Sequence, residues 1–369
     1  MGALLVFKLK NSFHLSGKIL DWFVTYLSGR EQRVVVNGQT SDWQNVTSGV
    51  PEGALLAPLL FALYINDLPS VVKSAQCVMF ADDVKLFYRV KEAPDCLLLQ
   101  SDLDSLGRWS ADWQLKLNPS KCLTFTMTLR TSPVPFSYSI CGSGLERVSE
   151  VRDLGVMLDS KLTFAAHISQ TVCKANRALG IFIRSFQTGL PRQKFDKKTL
   201  LASYFANVRS ILEYGCVVWG GAAKSHTERL ERVQHKFMIW LASRARDVTA
   251  QSLGYRELLR TFDVPSLEAR RLQYDLMFVR NVYGGSIDSS YLVECFPLHV
   301  PSRATRSISL FHAAYARVNT VKFGMFCRIP NETNEFLRKC PTVDVFNLSA
   351  FCFKTCVKRY LKASDESVV

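Results

Sequence analysis

Between Cys77 and Tyr88 the chain has few ways to fold. Cys77-Val78-Met79-Phe80 and Val84-Lys85-Leu86-Phe87-Tyr88 are runs of β-branched and aromatic residues, and only small or acidic residues separate them. So short a separation predicts an antiparallel hairpin with a tight turn. Adjacent side chains in a plain strand face opposite sides, so Asp82 and Asp83 share one end only because they sit at that turn. Two hard oxygen donors at one exposed point suit Mg²⁺ or Mn²⁺. Asp-Asp is also ordinary turn chemistry, so the surrounding residues decide its role.

The 369 residues carry a formal net charge of +14, which points to a polyanionic partner. Nucleic acid is the first such partner and an anionic membrane surface the second. The apolar run from Gly53 to Ile65 is shorter than the ~20 residues a spanning helix needs, so no membrane insertion is expected. Met1 to Val6 offers neither a basic leader nor a myristoylation pattern, and the protein reads as intracellular, in the cytoplasm or nucleus. Eleven cysteines without a Cys-x-x-Cys pair read as reduced, mostly buried thiols. Cys352 and Cys356 lie one helical turn apart, but no histidine pair nearby completes a zinc site.

Residues 1–160 read as mixed α and β. Helices are expected over Lys18 to Leu27, over Ala54 to Ile65 with Pro58 restricting the first turns, and from Leu97 to Trp113. Strand-like stretches are Arg33 to Val36, Leu123 to Thr128 and Phe136 to Ile140, with turns at Asn37-Gly38 and Gly142-Ser143-Gly144, and Val151 to Leu158 completes this part. Residues 161–250 turn helical, over Ala165 to Arg184, Lys197 to Tyr214 and Thr227 to Arg244. Residues 251–369 form a third, mostly helical part, with Ser266 to Val282, Leu310 to Val318 and Ala350 to Leu361 as helical pieces. Across these two helical parts Arg192, Lys194, Lys197, Lys198, Arg270 and Arg271 concentrate positive charge, suiting either a solvated face or a duplex-gripping surface.

Upstream of the hairpin, Ser48-Gly49-Val50-Pro51-Glu52-Gly53 forms a loop that opens an apolar helix, where backbone amides favour an anion such as a triphosphate. Loop and helix, then a hairpin bearing Asp-Asp, then a long helix, then Leu117-Asn118-Pro119-Ser120-Lys121, make up a specific order. With Trp22 to Arg30, Tyr64-Ile65-Asn66-Asp67-Leu68, Leu154-Gly155-Val156-Met157-Leu158-Asp159 and Ile211-Leu212-Glu213-Tyr214-Gly215, the chain resembles the reverse transcriptases of non-LTR, LINE-type retrotransposons, jockey-like in flavour.

The resemblance implies an α+β right-hand polymerase: a palm with a ferredoxin-like sheet and the Asp-Asp hairpin, an α-helical thumb and a mostly helical C-terminal region. It implies that Asp82 and Asp83 hold divalent ions for nucleotidyl transfer. Phe80 and Ala81 would flank the primer terminus, Pro51, Glu52 and Gly53 would lie by the incoming nucleotide, and Lys121 near its phosphates. Lys194, Lys197 and Lys198 would grip nucleic acid. The implied partners are an RNA template, a DNA primer and deoxynucleoside triphosphates.

The departures are as informative. The family loop carries Gln where Glu52 stands, Ser where Ala54 stands and Gly where Ala57 stands, and Glu52 adds negative charge beside a triphosphate. A two-metal site also needs a third acid, yet residues 1 to 20 contain no Asp or Glu, and Asp21 lies inside a helix. The sequence therefore reads as an N-terminally truncated polymerase with its fingers largely missing. The alternative is a catalytically dead nucleic-acid-binding remnant. An unrelated Mg²⁺ phosphotransfer domain with a chance Phe-Ala-Asp-Asp would leave the other blocks unexplained.

Overall fold

Short two-stranded ribbons alternate with helices up to Ser149, and helices dominate after it, in a computed structural model describing residues 2–51, 53–130, 133–187, 196–245, 253–300, 309–312 and 316–366. The chain divides into two compact units, Met1–Ser149 and Glu150–Val369.

The first unit opens with α1 (Gly2–Asn11) and α2 (Gly17–Leu27). A ribbon follows in which β1 (Glu31–Gln32) pairs with β4 (Gln44–Asn45), and β2 (Val35–Val36) pairs with β3 (Gln39–Thr40). Asn37 and Gly38 turn between β2 and β3 with φ of 50° and 80°, the left-handed pair that matches strand twist in a two-residue hairpin. Helix α3 (Ala57–Ile65) begins three residues later than its apolar run suggests. Pro58 lacks the N–H that a helix reaching back to Ala54 would need, so it occupies the first turn instead. After β5 (Gln76–Phe80) and β6 (Asp83–Phe87) comes α4 (Ala93–Asp112), with Asp95 Oδ2 accepting from the Lys91 and Glu92 amides at 2.7 and 3.0 Å.

Strand β7 (Leu123–Phe125), β8 (Ser139–Ile140), β9 (Ser143–Gly144) and β10 (Glu146–Val148) complete the unit. Among the described residues every strand has a single partner, so no ferredoxin-like sheet is assembled. The reason is local: β7 runs parallel to β10, and β8 turns straight back onto β9. The unit's core gathers Leu5, Leu9, Leu60, Tyr64, Leu106 and Trp109 from α1, α3 and α4.

The second unit begins with β11 (Glu150–Asp153) and β12 (Val156–Asp159), which pair as an antiparallel hairpin. Leu154 and Gly155, at φ of 43° and 86°, reverse the chain between them. Then come α5 (Ala165–Gln187), α6 (Lys197–Tyr204), a π-turn over Phe205–Arg209, α7 (Ser210–Glu213), α8 (Cys216–Trp219) and α9 (Lys224–Ala245). The remainder is α10 (Tyr255–Phe262), α11 (Leu267–Tyr283), α12 (Ser290–Cys295), α13 (Asn319–Lys322), α14 (Met325–Lys339) and α15 (Ala350–Glu366). Leu310 and Phe311, expected to start a helix, instead lie against the segment before them, with Phe311 bridged to Leu298. Helix α11 serves two cores: Leu267 packs with Tyr204, Trp219 and Phe237, and Leu276 and Val279 pack with Phe296, Phe336 and Phe353.

Candidate active site

The hairpin register decides how the acids are presented. Phe80 pairs with Asp83, so Ala81 and Asp82 are the two turn residues, and Ala81 takes a φ of 50°. Met79 opposite Val84 and Cys77 opposite Leu86 put those pairs on one face, where Cys77, Met79 and Val84 pack on the core. The other face carries Val78, Phe80, Asp83 and Phe87, and Phe80 is 61 % exposed. Asp82 and Asp83 are both exposed, so the structure brings the two carboxylates to one open end beside an exposed aromatic ring.

The hairpin is held from below by α4. Asp102, buried, accepts from the amides of Lys73, Ser74 and Ala75 at 2.9, 2.9 and 2.7 Å, clamping the residues that feed β5. Gln100 makes two hydrogen bonds to the Ser139 backbone, at 2.9 and 3.0 Å, and fixes β8 to the same helix. These two polar positions lie within an amphipathic pattern, and a buried Asp amid its apolar residues is the only sequence signal of the clamp.

The loop ahead of α3 is tied by Arg30. Its Nη2 donates to the carbonyls of Ser48 and Gly49 at 3.3 and 2.6 Å. Pro51 is half-buried and Gly53 exposed with a φ of 74°, whereas Glu52 lies outside the described residues. Lys121 ends the short 3-10 turn Pro119–Lys121 and is exposed.

Lys8 is a further position that pattern reading passed over. In the otherwise apolar start of the chain it is buried, and its Nζ donates to Tyr64 O at 2.5 Å and to Asp67 Oδ1 at 2.6 Å. The ammonium lies 3.6 Å from the centroid of a Trp113 ring, and the Tyr64 hydroxyl donates to Trp113 O. Burial lowers the Lys8 pKa, and Asp67 works against that shift. One cation thus joins Tyr64-Ile65-Asn66-Asp67 to the end of α4, so these two blocks share a structural reason.

Residues 5–158 match the family model of reverse transcriptases, the RNA-dependent DNA polymerases. They form a reverse transcriptase domain. The likeness extends to mobile-element polymerases: the chain is 31 % identical over 221 residues to the probable RNA-directed DNA polymerase from transposon X-element of Drosophila melanogaster, covering 58 % of this chain and 24 % of that protein. It is 31 % identical over 224 residues to the corresponding protein from transposon BS of the same fly, with the same coverage. Over 253 residues, 63 % of this chain and 26 % of the relative, it is 28 % identical to the RNA-directed DNA polymerase from mobile element jockey of Drosophila funebris. The chain thus spans about a quarter of the length of these relatives.

Asp82, Asp83, Phe80, Ala81, Pro51, Gly53 and Lys121 all fall inside the reverse transcriptase domain, as do Lys8, Arg30 and Asp102. Lys197 and Lys198 lie beyond it, exposed in the first turn of α6, with Lys197 Nζ 4.7 Å from the centroid of the Phe262 ring. Lys194 and Arg192 lie outside the described residues. Arg270, by contrast, is already engaged, with Nε and Nη2 donating to Glu213 at 2.7 and 2.9 Å. Arg271 is buried, so neither offers a simple surface charge.

A second cationic feature emerges only in three dimensions. Arg229 bonds Ser169, Lys236 bonds Asn176 and Arg244 bonds Phe186, at 2.9, 3.3 and 3.1 Å, so α5 and α9 run parallel along a shared seam. Helix α5 contains no acidic residue, and Lys174 and Arg177 are exposed on it. Among the described residues no helix is long and apolar enough to cross a membrane.

Proposed function

We propose that the chain carries the palm and thumb of a LINE-type RNA-directed DNA polymerase, with residues 1–160 as palm, 161–250 as thumb and 251–369 as a post-thumb region. The observation that carries this reading is the exposed Asp82-Asp83 pair on a hairpin turn within the reverse transcriptase domain. Its substrates would be deoxynucleoside triphosphates, on an RNA template and a DNA primer. Phe80 and Ala81 would border the primer end, Pro51, Glu52 and Gly53 the incoming nucleotide, and Lys121 the phosphates.

Polymerases of this family use divalent metal ions, and two exposed carboxylates are suitable hard donors for Mg²⁺ or Mn²⁺. They do not complete the site. Among the described residues no three His, Cys, Asp or Glu side chains converge to hold an ion, whereas two-ion nucleotidyl transfer needs a third carboxylate. No catalytic step is therefore assigned to Asp82 and Asp83 in this chain by itself.

Nucleic-acid grip is the function the residues at hand support best. Lys197 and Lys198 stand at the N-terminal end of α6, where lysine opposes the helix dipole, so helix stability does not explain them. With the exposed Lys174 and Arg177 of α5, they supply cations suited to a phosphate backbone, and Lys194, outside the described residues, is proposed to join them.

The test is primer extension on a poly-A template with an oligo-dT primer, in Mg²⁺ and then Mn²⁺, alongside binding of an RNA–DNA duplex. Because catalytic groups act as a unit, the expected extension lies ~10⁴ to 10⁶ below that of a complete polymerase, while duplex binding persists. Robust extension abolished by Asp82→Asn would overturn the incomplete-site reading. Absence of duplex binding would overturn the polymerase reading.

A further inference from the structure

The second unit carries an open surface cleft that the polymerase reading leaves unused. Its volume is about 570 Å³, within the ~300–1,000 Å³ range of small-molecule sites. One wall is the loop leaving α14, with Cys340, Thr342 and Val343, and the other is a face of α15 on which Cys356, Arg359 and Tyr360 recur at helical spacing.

The chemistry of the walls is specific. Tyr360 is held in place, meeting Phe336 edge-on with centroids 5.1 Å apart, and Lys339 Nζ lies 5.5 Å from its ring. Lys339 is itself paired with Glu335 at 3.0 Å, so its charge is already balanced. Arg359 is exposed and forms no ion pair among the described residues, which leaves one uncompensated guanidinium at the rim. A fixed aromatic plane, an apolar side at Val343 and a planar cationic donor complement a ligand with a flat ring at one end and a phosphate at the other.

We propose that this cleft binds a nucleoside monophosphate, with its phosphate on Arg359 and its base against Tyr360. The choice of ligand class rests on the polymerase reading; the location does not.

Thiol protection tests it directly, because Cys340 and Cys356 line the cleft while the exposed Cys352 does not. The full chain is alkylated with iodoacetamide in the presence of dAMP, deoxyadenosine or inorganic phosphate, and each cysteine is followed by peptide mass spectrometry. Deoxyadenosine monophosphate is expected to slow alkylation of Cys340 and Cys356 several-fold and leave Cys352 unchanged. The phosphate-free nucleoside and the bare anion should protect far less at equal concentration. Arg359→Ala should abolish protection without altering the rates measured in the absence of ligand. No protection by dAMP, equal protection by phosphate or deoxyadenosine, or full protection in Arg359→Ala would each overturn the proposal. Duplex binding without thiol protection removes the cleft proposal alone, and protection without duplex binding removes the polymerase reading alone.

Discussion

A buried ammonium group is tolerated only where acceptors replace its water, and Lys8 has the Asp67 carboxylate, the Tyr64 carbonyl and the Trp113 ring around it. Lys8→Met keeps most of the volume but leaves the Tyr64 carbonyl without its donor. The expected cost is about 1–3 kcal/mol, read as a lower denaturation midpoint in urea with an unchanged slope. Glu332 supplies a pH signature. Burial, and next the charge of Asp275, push its carboxyl up to about 8 from an ordinary value of 4.5. The folded state thus prefers the protonated acid, so this stabilisation is complete below pH 4.5 and lost as pH rises through about 8. Melting temperatures should fall from pH 6 to about 8 and level off by pH 9, and Glu332→Gln should flatten that fall.

At the scale of elements, the hairpin was legible because its pattern is local: strand-forming runs and a short acidic turn leave one arrangement. What the pattern did not contain was the strain at Ala81, whose φ of 50° suits glycine better than alanine. Ala81→Gly is expected to stabilise the turn by about 0.5–1 kcal/mol, visible as slower amide exchange in β5 and β6. Helix α14 escaped pattern reading because Pro330 lies inside it, buried. In the stretch Val151 to Leu158 the apolar residues run on through Leu154, and only the Asp153 to Val156 pairing reveals the turn. Asp159 then prepares α5. Burial alone would raise its carboxyl, but bonds from Thr163, Phe164 and Lys161 outweigh that and hold it below its usual value.

For the whole molecule, the net charge of +14 acquires a location: the acid-free α5, its parallel neighbour α9 and the start of α6 carry exposed cations. If Lys197 and Lys198 each neutralise a phosphate, the double change Lys197→Ala and Lys198→Ala should weaken duplex binding and reduce the slope of log affinity against log salt by about 2. An unchanged slope would remove both lysines from the interface. The two compact units also give the family blocks different duties. Tyr64 to Asp67 serves the first unit's core, and Glu213 receives Arg270 in the second.

Local order along the chain was enough to identify the reverse transcriptase domain and its Asp-Asp turn, because strand propensity, turn chemistry and block order act over a few residues at a time. Tertiary structure alone decided that Lys8 is a buried tie, that Asp102 clamps the approach to the hairpin and that Arg270 is committed to Glu213. Each of these depends on partners 27 or more residues away. The energy of a charge depends on whether a partner replaces its water, and pattern along one chain does not report which distant groups will meet.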